Sequence, residues 1–113
     1  AFWSPRKIKE MAHKQKGILL NAGRWLKPGG VLVYSTCSFA PEENEAIIDW
    51  FLRKTVEQFE VIPVALPTGE TYPAILKWEG KNFDPQLARC VRILPDQKRE
   101  GFFIAKLKKT EIS

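Results

Sequence analysis

Residues 27–45, Lys-Pro-Gly-Gly-Val-Leu-Val-Tyr-Ser-Thr-Cys-Ser-Phe-Ala-Pro-Glu-Glu-Asn-Glu, constrain the fold more than any other stretch of the chain. Pro28 cannot continue a helix, and Gly29-Gly30 permits the positive φ angles of a tight reversal, so a helix stops here. Residues 31–34 are an apolar, β-rich run between turn residues, the pattern of a strand covered on both faces, as in a parallel sheet. Glu42, Glu43 and Glu45 then place negative charge in the first turn of a helix starting around Pro41, where the macrodipole favours it. Thr36-Cys37-Ser38 thereby falls at the carboxyl end of a central strand, where open α/β sheets bind ligands.

The flanking segments extend this pattern in both directions. Ser4-Pro5 is a sound helix start, a capping hydroxyl followed by proline at the first helical position. Ile8, Met11, Ala12, Ile18, Leu19, Ala22 and Leu26 recur at three- and four-residue spacings, which predicts a long helix with one face on a sheet. Lys7, Lys9, Lys14 and Lys16 fall on its wetter side. Ala46, Ile47, Trp50 and Phe51 give the next helix its buried stripe, and that helix ends near Lys54 or Glu57.

Beyond it, residues 59–64 read as a short strand, and residues 65–86 as a long loop rich in proline and glycine. Residues 87–94 and 101–107 read as strands of an antiparallel hairpin joined by the polar turn 95–100, and the tail from Lys108 onward as frayed. The expected fold is α/β, a helix, strand, helix, strand order closed by an antiparallel hairpin.

Composition narrows the function classes. The 113 residues suit one domain, and 44% hydrophobic content with seven Phe and four Trp is ample for a core. No apolar run approaches the roughly 20 residues of a membrane span, and no signal segment opens the chain, so no membrane partner is expected and the chain reads as intracellular. Cys37 and Cys90 belong to no metal-ligand pattern, and no metal is expected. A formal charge of +5 is compatible with a polyanionic partner.

At this point the sequence resembles a family. Lys-Pro-Gly-Gly, then Tyr-Ser-Thr-Cys-Ser, then Pro-Glu-Glu-Asn-Glu, in this order and spacing, is similar to the Nop2/Sun (RsmB-type) RNA cytosine-C5 methyltransferases, which use S-adenosylmethionine. Gln15, Arg92, Pro95 and Gly101-Phe102-Phe103 also resemble the C-terminal half of that family, so the likeness covers nearly the whole chain. It implies the C-terminal half of a class I (Rossmann-like) methyltransferase sheet, whose last strand runs antiparallel and inserts beside the strand carrying Cys37.

The family's cofactor-binding half supplies a glycine-rich turn after the first strand, an acidic residue for the ribose and a strand ending in Asp-Ala-Pro-Cys-Ser-Gly. None of these occurs here. The resemblance therefore implies a single partial domain spanning 1–113, inactive alone, with most of the S-adenosylmethionine site in an N-terminal half upstream. The strand at 31–37 is then expected to expose an edge, covered by that half or by self-association.

The implied chemistry is addition of a thiolate to cytosine C6, which raises electron density at C5. The thiolate is the nucleophile, so its charge needs support from dipoles or cations. Cys37 carries this role by resemblance, with Thr36 and Ser38 supporting it, and the partner is tRNA or rRNA, in the cytoplasm or nucleolus. Lys14, Gln15 and Arg92 are candidate RNA contacts, and Arg92 is equally suited to a neighbouring carboxylate. Cys90 reads as structural, and Glu42, Glu43 and Asn44 as a helix start. Trp3, Tyr72, Trp78 and Phe83, interleaved with Lys77, Lys81 and Arg89, form either a base-stacking surface or core filling. A non-catalytic RNA-binding or assembly module is the rival reading.

Overall fold

A computed structural model describes residues 5–37, 40–56, 58–64, 72–93 and 101–110. Helix α1 runs Pro5–Trp25, so Pro5 opens it as expected, while Ser4 lies outside the described residues. Strand β1 follows at Val31–Thr36, after a turn in which Gly29 takes a φ of 82° that side chains rarely tolerate. The next helix starts later than expected. Pro41–Glu43 is a single 3-10 turn, and α2 proper runs Glu45–Lys54.

Five strands form one sheet around β7, Phe102–Lys109. Along one edge β7 pairs antiparallel with all of β1, from Val31 opposite Lys108 to Thr36 opposite Phe103. Its other edge is shared by β2, Phe59–Ile62, and β6, Val91–Ile93, both antiparallel to it. β3, Tyr72–Pro73, continues the sheet beyond β6. The insertion of an antiparallel last strand beside the cysteine-bearing strand is thus observed. The turn expected at 95–100 lies outside the described residues.

Alternation along β7 separates the two faces. Phe103, Ala105 and Leu107 are buried under α1 and α2 with Tyr34, Leu19, Ile47, Ile48 and Phe51. The opposite face of β1 carries Val31, Val33 and Ser35, and Val33 is 57% exposed. The expectation of a strand covered on both faces is therefore corrected: both helices pack on one side. β1 is also a sheet edge, since β7 is its sole strand neighbour among the described residues.

Gly23 brings α1 close to the core, because a Cβ there would stand 3.0 Å from Phe51 Cζ and 3.1 Å from Phe59 Cζ. Ile18 was expected on this packed face but is 64% exposed, on the flank of α1 turned away from α2. Ile8's side chain is outside the description.

Three further expectations are corrected. Residues 87–94 are not one strand, because Asp84 accepts from the Gln86 N–H at 2.9 Å and Pro85 opens a 3-10 helix, Pro85–Arg89, so that among the described residues the strand is Val91–Ile93. The long loop is partly structured. β4, Lys77–Trp78, and β5, Lys81–Asn82, form a two-residue hairpin whose Glu79 (φ 49°) and Gly80 (φ 79°) both take the positive angles of a primed turn. Residues 65–71 lie outside the described residues.

Finally, Lys108 and Lys109 are not a frayed tail. The Lys109 ammonium donates to the Gly23 and Leu26 carbonyls, each at 2.9 Å, closing the carboxyl end of α1. Among the described residues no helix is long and apolar enough to cross a membrane.

Candidate active site

Cys37 is a free, exposed thiol one residue beyond β1. It lines a groove of about 320 Å³ on the open face of the sheet with Val33, Ser35, Thr36, Phe102 and Ile104. The groove is apolar apart from Ser35, Thr36 and the thiol. Ser38 lies outside the described residues.

The chain around Cys37 is tied on both sides. Thr36 Oγ1 donates to Asn44 Oδ1, and the Tyr34 hydroxyl donates to the Glu43 carbonyl at 2.6 Å. Asn44 is fully buried, with φ −119° and ψ −97°, outside both the helical and the strand regions. Burial, with a smaller contribution from Glu43, pushes the Tyr34 hydroxyl well above its ordinary range, so it remains a donor.

Glu45 is buried completely and paired on two sides. Arg92 Nε and Nη2 contact its two oxygens at 2.5 Å each, and the Ile75 N–H donates to Oε2 at 2.9 Å. Of the two sequence readings of Arg92, the geometry presents the neighbouring carboxylate. The Arg92 guanidinium also lies 6.0 Å from the Phe103 ring centroid, and Phe103 meets Tyr34 edge-on. The helix start rich in Glu and Asn is therefore a buried anchor beneath the cysteine segment, something no local sequence signal announced.

The remaining candidates are dispersed. Lys14 is exposed and Gln15 half-buried near the middle of α1, a helix that also packs against the 3-10 turn Pro41–Glu43. Cys90 is buried before β6, and its thiol is pushed up to about 12 by burial and then by the Glu45 charge, which leaves it protonated and inert. Phe83 is core rather than surface, Trp78 is 37% exposed on the β4–β5 hairpin, and Trp3 and the Tyr72 side chain lie outside the description.

S-adenosylmethionine does not fit the described residues. The glycine pair precedes a strand rather than following one, and both buried acidic side chains of α2, Glu45 and Asp49, are engaged by Arg92 and Arg53. No group of three or more His, Cys, Asp or Glu able to hold a metal occurs among the described residues.

A half-sheet with an antiparallel last strand beside a strand ending in an exposed cysteine is part of a Rossmann-like methyltransferase fold. Residues 2–108 match the family described as 16S rRNA methyltransferase RsmB/F, and the chain belongs to that family. It is 41% identical over 108 residues to the tRNA (cytosine(49)-C(5))-methyltransferase of Pyrococcus abyssi, covering 95% of this chain and 34% of the relative. It is 38% identical over 113 residues to ribosomal RNA small subunit methyltransferase F of Escherichia coli, covering 96% of this chain and 21% of the relative.

Among solved structures, a methyltransferase homolog from Pyrococcus horikoshii superposes with a TM-score of 0.81 at 39% identity, over 95% of this chain and 33% of the other. NSun6 from Pyrococcus horikoshii with SFG superposes at 0.74 and 31% identity, over 98% of this chain and 25% of the other. The chain thus spans between 21% and 34% of the length of each of these proteins.

Proposed function

We propose that the chain is the C-terminal catalytic segment of an S-adenosylmethionine-dependent RNA cytosine-C5 methyltransferase of the cytoplasm, with Cys37 as its nucleophile. One observation carries this reading: in a member of this family, the cysteine of Thr-Cys-Ser stands exposed at the end of β1 and lines a mainly apolar groove of about 320 Å³.

The Cys37 thiolate adds to C6 of the cytosine, forming an S–C6 bond. Addition shifts the C5–C6 π pair onto C5, which becomes the electron-rich atom; a sulfonium donor bound opposite it would supply the methyl group, its S–CH3 bond breaking to leave a neutral thioether. Loss of the C5 proton to a base then breaks the S–C6 bond and returns the thiolate. This segment contributes the nucleophile and the frame that holds it. The methyl donor's pocket belongs to an N-terminal half that covers the open edge and face of β1, or that self-association replaces.

RNA approaches over the middle of α1, where Lys14 meets phosphate and Gln15 a sugar or base, while Arg92 acts from beneath by holding Glu45. Calorimetric titration of this chain with S-adenosylmethionine is expected to give no heat, and stoichiometric binding would overturn the assignment of the pocket to another segment. In the enzyme extended upstream, Cys37→Ser is expected to abolish methyl transfer to tRNA or rRNA transcripts. Undiminished transfer would overturn the nucleophile assignment.

A further inference from the structure

We infer that Asn44 is a positioning residue for Cys37, acting through Thr36; this rests on the nucleophile reading above and deepens it. Cys37 follows the end of β1 and lines the groove, and α2 begins eight residues later at Glu45. Asn44 ties the end of β1 to the start of α2. Its side-chain oxygen accepts from Thr36 Oγ1, which holds the residue before Cys37. Its N–H donates to the Pro41 carbonyl at 3.1 Å, and its own carbonyl accepts from Ile47 and Ile48 at 3.1 and 3.2 Å. The strand end and the helix start are thereby joined at one fully buried side chain.

An ordinary helix cap explains neither feature of Asn44. Its side chain makes no capping bond to α2, and its backbone lies outside the usual regions. The side chain is directed back to the strand instead. Glu45, held by Arg92 from β6 and by the Ile75 N–H, prevents this anchor from sliding along the helix axis. Tyr34, two residues before Thr36, donates to the carbonyl of Glu43, the neighbour of Asn44, and makes a second tie between β1 and the helix start. An adding thiolate needs a fixed approach to C6, since small misplacements of a reacting group are costly in rate.

The test compares Thr36→Val, which keeps shape and strand propensity but loses the bond, with Thr36→Ser, which keeps the bond. In this chain the probe is iodoacetamide, with the modified Cys37 peptide counted by mass spectrometry. Thr36→Val is expected to raise the Cys37 alkylation rate at least threefold by loosening the segment, and Thr36→Ser to restore it to within twofold. In the upstream-extended enzyme, Thr36→Val is expected to lower kcat at least tenfold with KM for RNA within twofold, again rescued by Ser.

Should Thr36→Val fail to fold, Tyr34→Phe cuts the second tie without changing core volume and is expected to shift both readouts in the same directions. A folded Thr36→Val protein that behaves as Thr36→Ser in both readouts overturns the inference. Loosened alkylation in an enzyme whose methyl transfer survives Cys37→Ser would instead leave the positioning intact and remove the nucleophile reading.

Discussion

Arg92 and Glu45, 47 positions apart in sequence, form a two-pronged ion pair with both contacts at 2.5 Å and the carboxylate fully withdrawn from solvent. Such a pair gains little over well-packed apolar residues, but losing one partner strands a buried charge at about 3–5 kcal/mol. Arg92→Met is therefore expected to lower the urea unfolding free energy by that amount, and Glu45→Gln by somewhat less. Arg92→Met combined with Glu45→Leu is expected to recover a large part of the loss. A double variant as unstable as the sum of the two singles would show that the residues act independently.

The pair also marks the limit of what the sequence shows. Proline, glycine and apolar spacing are local signals, and they placed α1, β1, the end of α2 and the cysteine at a strand end. Nothing local pairs Glu45 with Arg92, so a charged run that reads as a helix start becomes a buried anchor through a tertiary partner. At Ile18 the helical period identified a stripe without saying where its edge lies. Asp84-Pro85 carries a local signal, a capping residue followed by proline, yet the apolar residues after it also suit a strand, so two local patterns compete over 87–94.

The two cysteines are expected to differ sharply in reactivity. Cys37 is exposed and Cys90 is 2% exposed beneath the sheet, with its thiol held protonated by burial and the Glu45 charge. Iodoacetamide at pH 8 is expected to label only Cys37 in the native chain and both cysteines in 6 M (roughly; any fully denaturing level suffices) guanidinium. Native labelling of Cys90 at a comparable rate would contradict its placement.

The same burial predicts a pH dependence. Cys90 is raised from an ordinary value of 9.0 to about 12, so the folded state retains a proton that the unfolded chain gives up. Its contribution to stability is full below pH 9 and is lost as pH rises from there towards 12, by up to about 1.4 kcal/mol for each pH unit. Tyr34 shifts in the same direction and adds to the loss at the upper end of this window. Urea midpoints are expected to fall from pH 8 to pH 10.5 (about), and Cys90→Ala to make the slope shallower.

Two glycines are expected to respond oppositely to alanine. A Cβ at Gly17 meets nothing within 4 Å, so Gly17→Ala in the exposed middle of α1 is expected to stabilise the chain by about 0.5–1 kcal/mol. At Gly30 the same atom would stand 2.9 Å from the Lys27 carbonyl oxygen and 2.8 Å from Leu26 Cδ1. The carbonyl cannot retreat, because it accepts from the Gly30 N–H at 2.8 Å, and the Gly30 carbonyl accepts from the Lys109 N–H at 2.9 Å. Gly30→Ala is expected to cost about 1–3 kcal/mol, and equal midpoints for the two variants would contradict the turn geometry.

The free edge of β1 yields the last prediction. Val31 and Val33 are 44% and 57% exposed on a strand whose second edge is unpaired among the described residues, and Trp25, 87% exposed, lies on the flank of α1 turned away from α2. A flat apolar edge of this kind templates pairing with another chain, and an inserted lysine is the usual means of blocking it. Sedimentation of the chain at rising concentration is expected to show reversible self-association, and Val33→Lys to abolish it with little change in stability, because the side chain already faces solvent. A starting chain that sediments as a monomer throughout would show that this edge does not self-pair and would leave an upstream segment as its cover. Unchanged association in Val33→Lys would move the contact to the Ile18 and Trp25 flank of α1, where Trp25→Lys distinguishes the two surfaces.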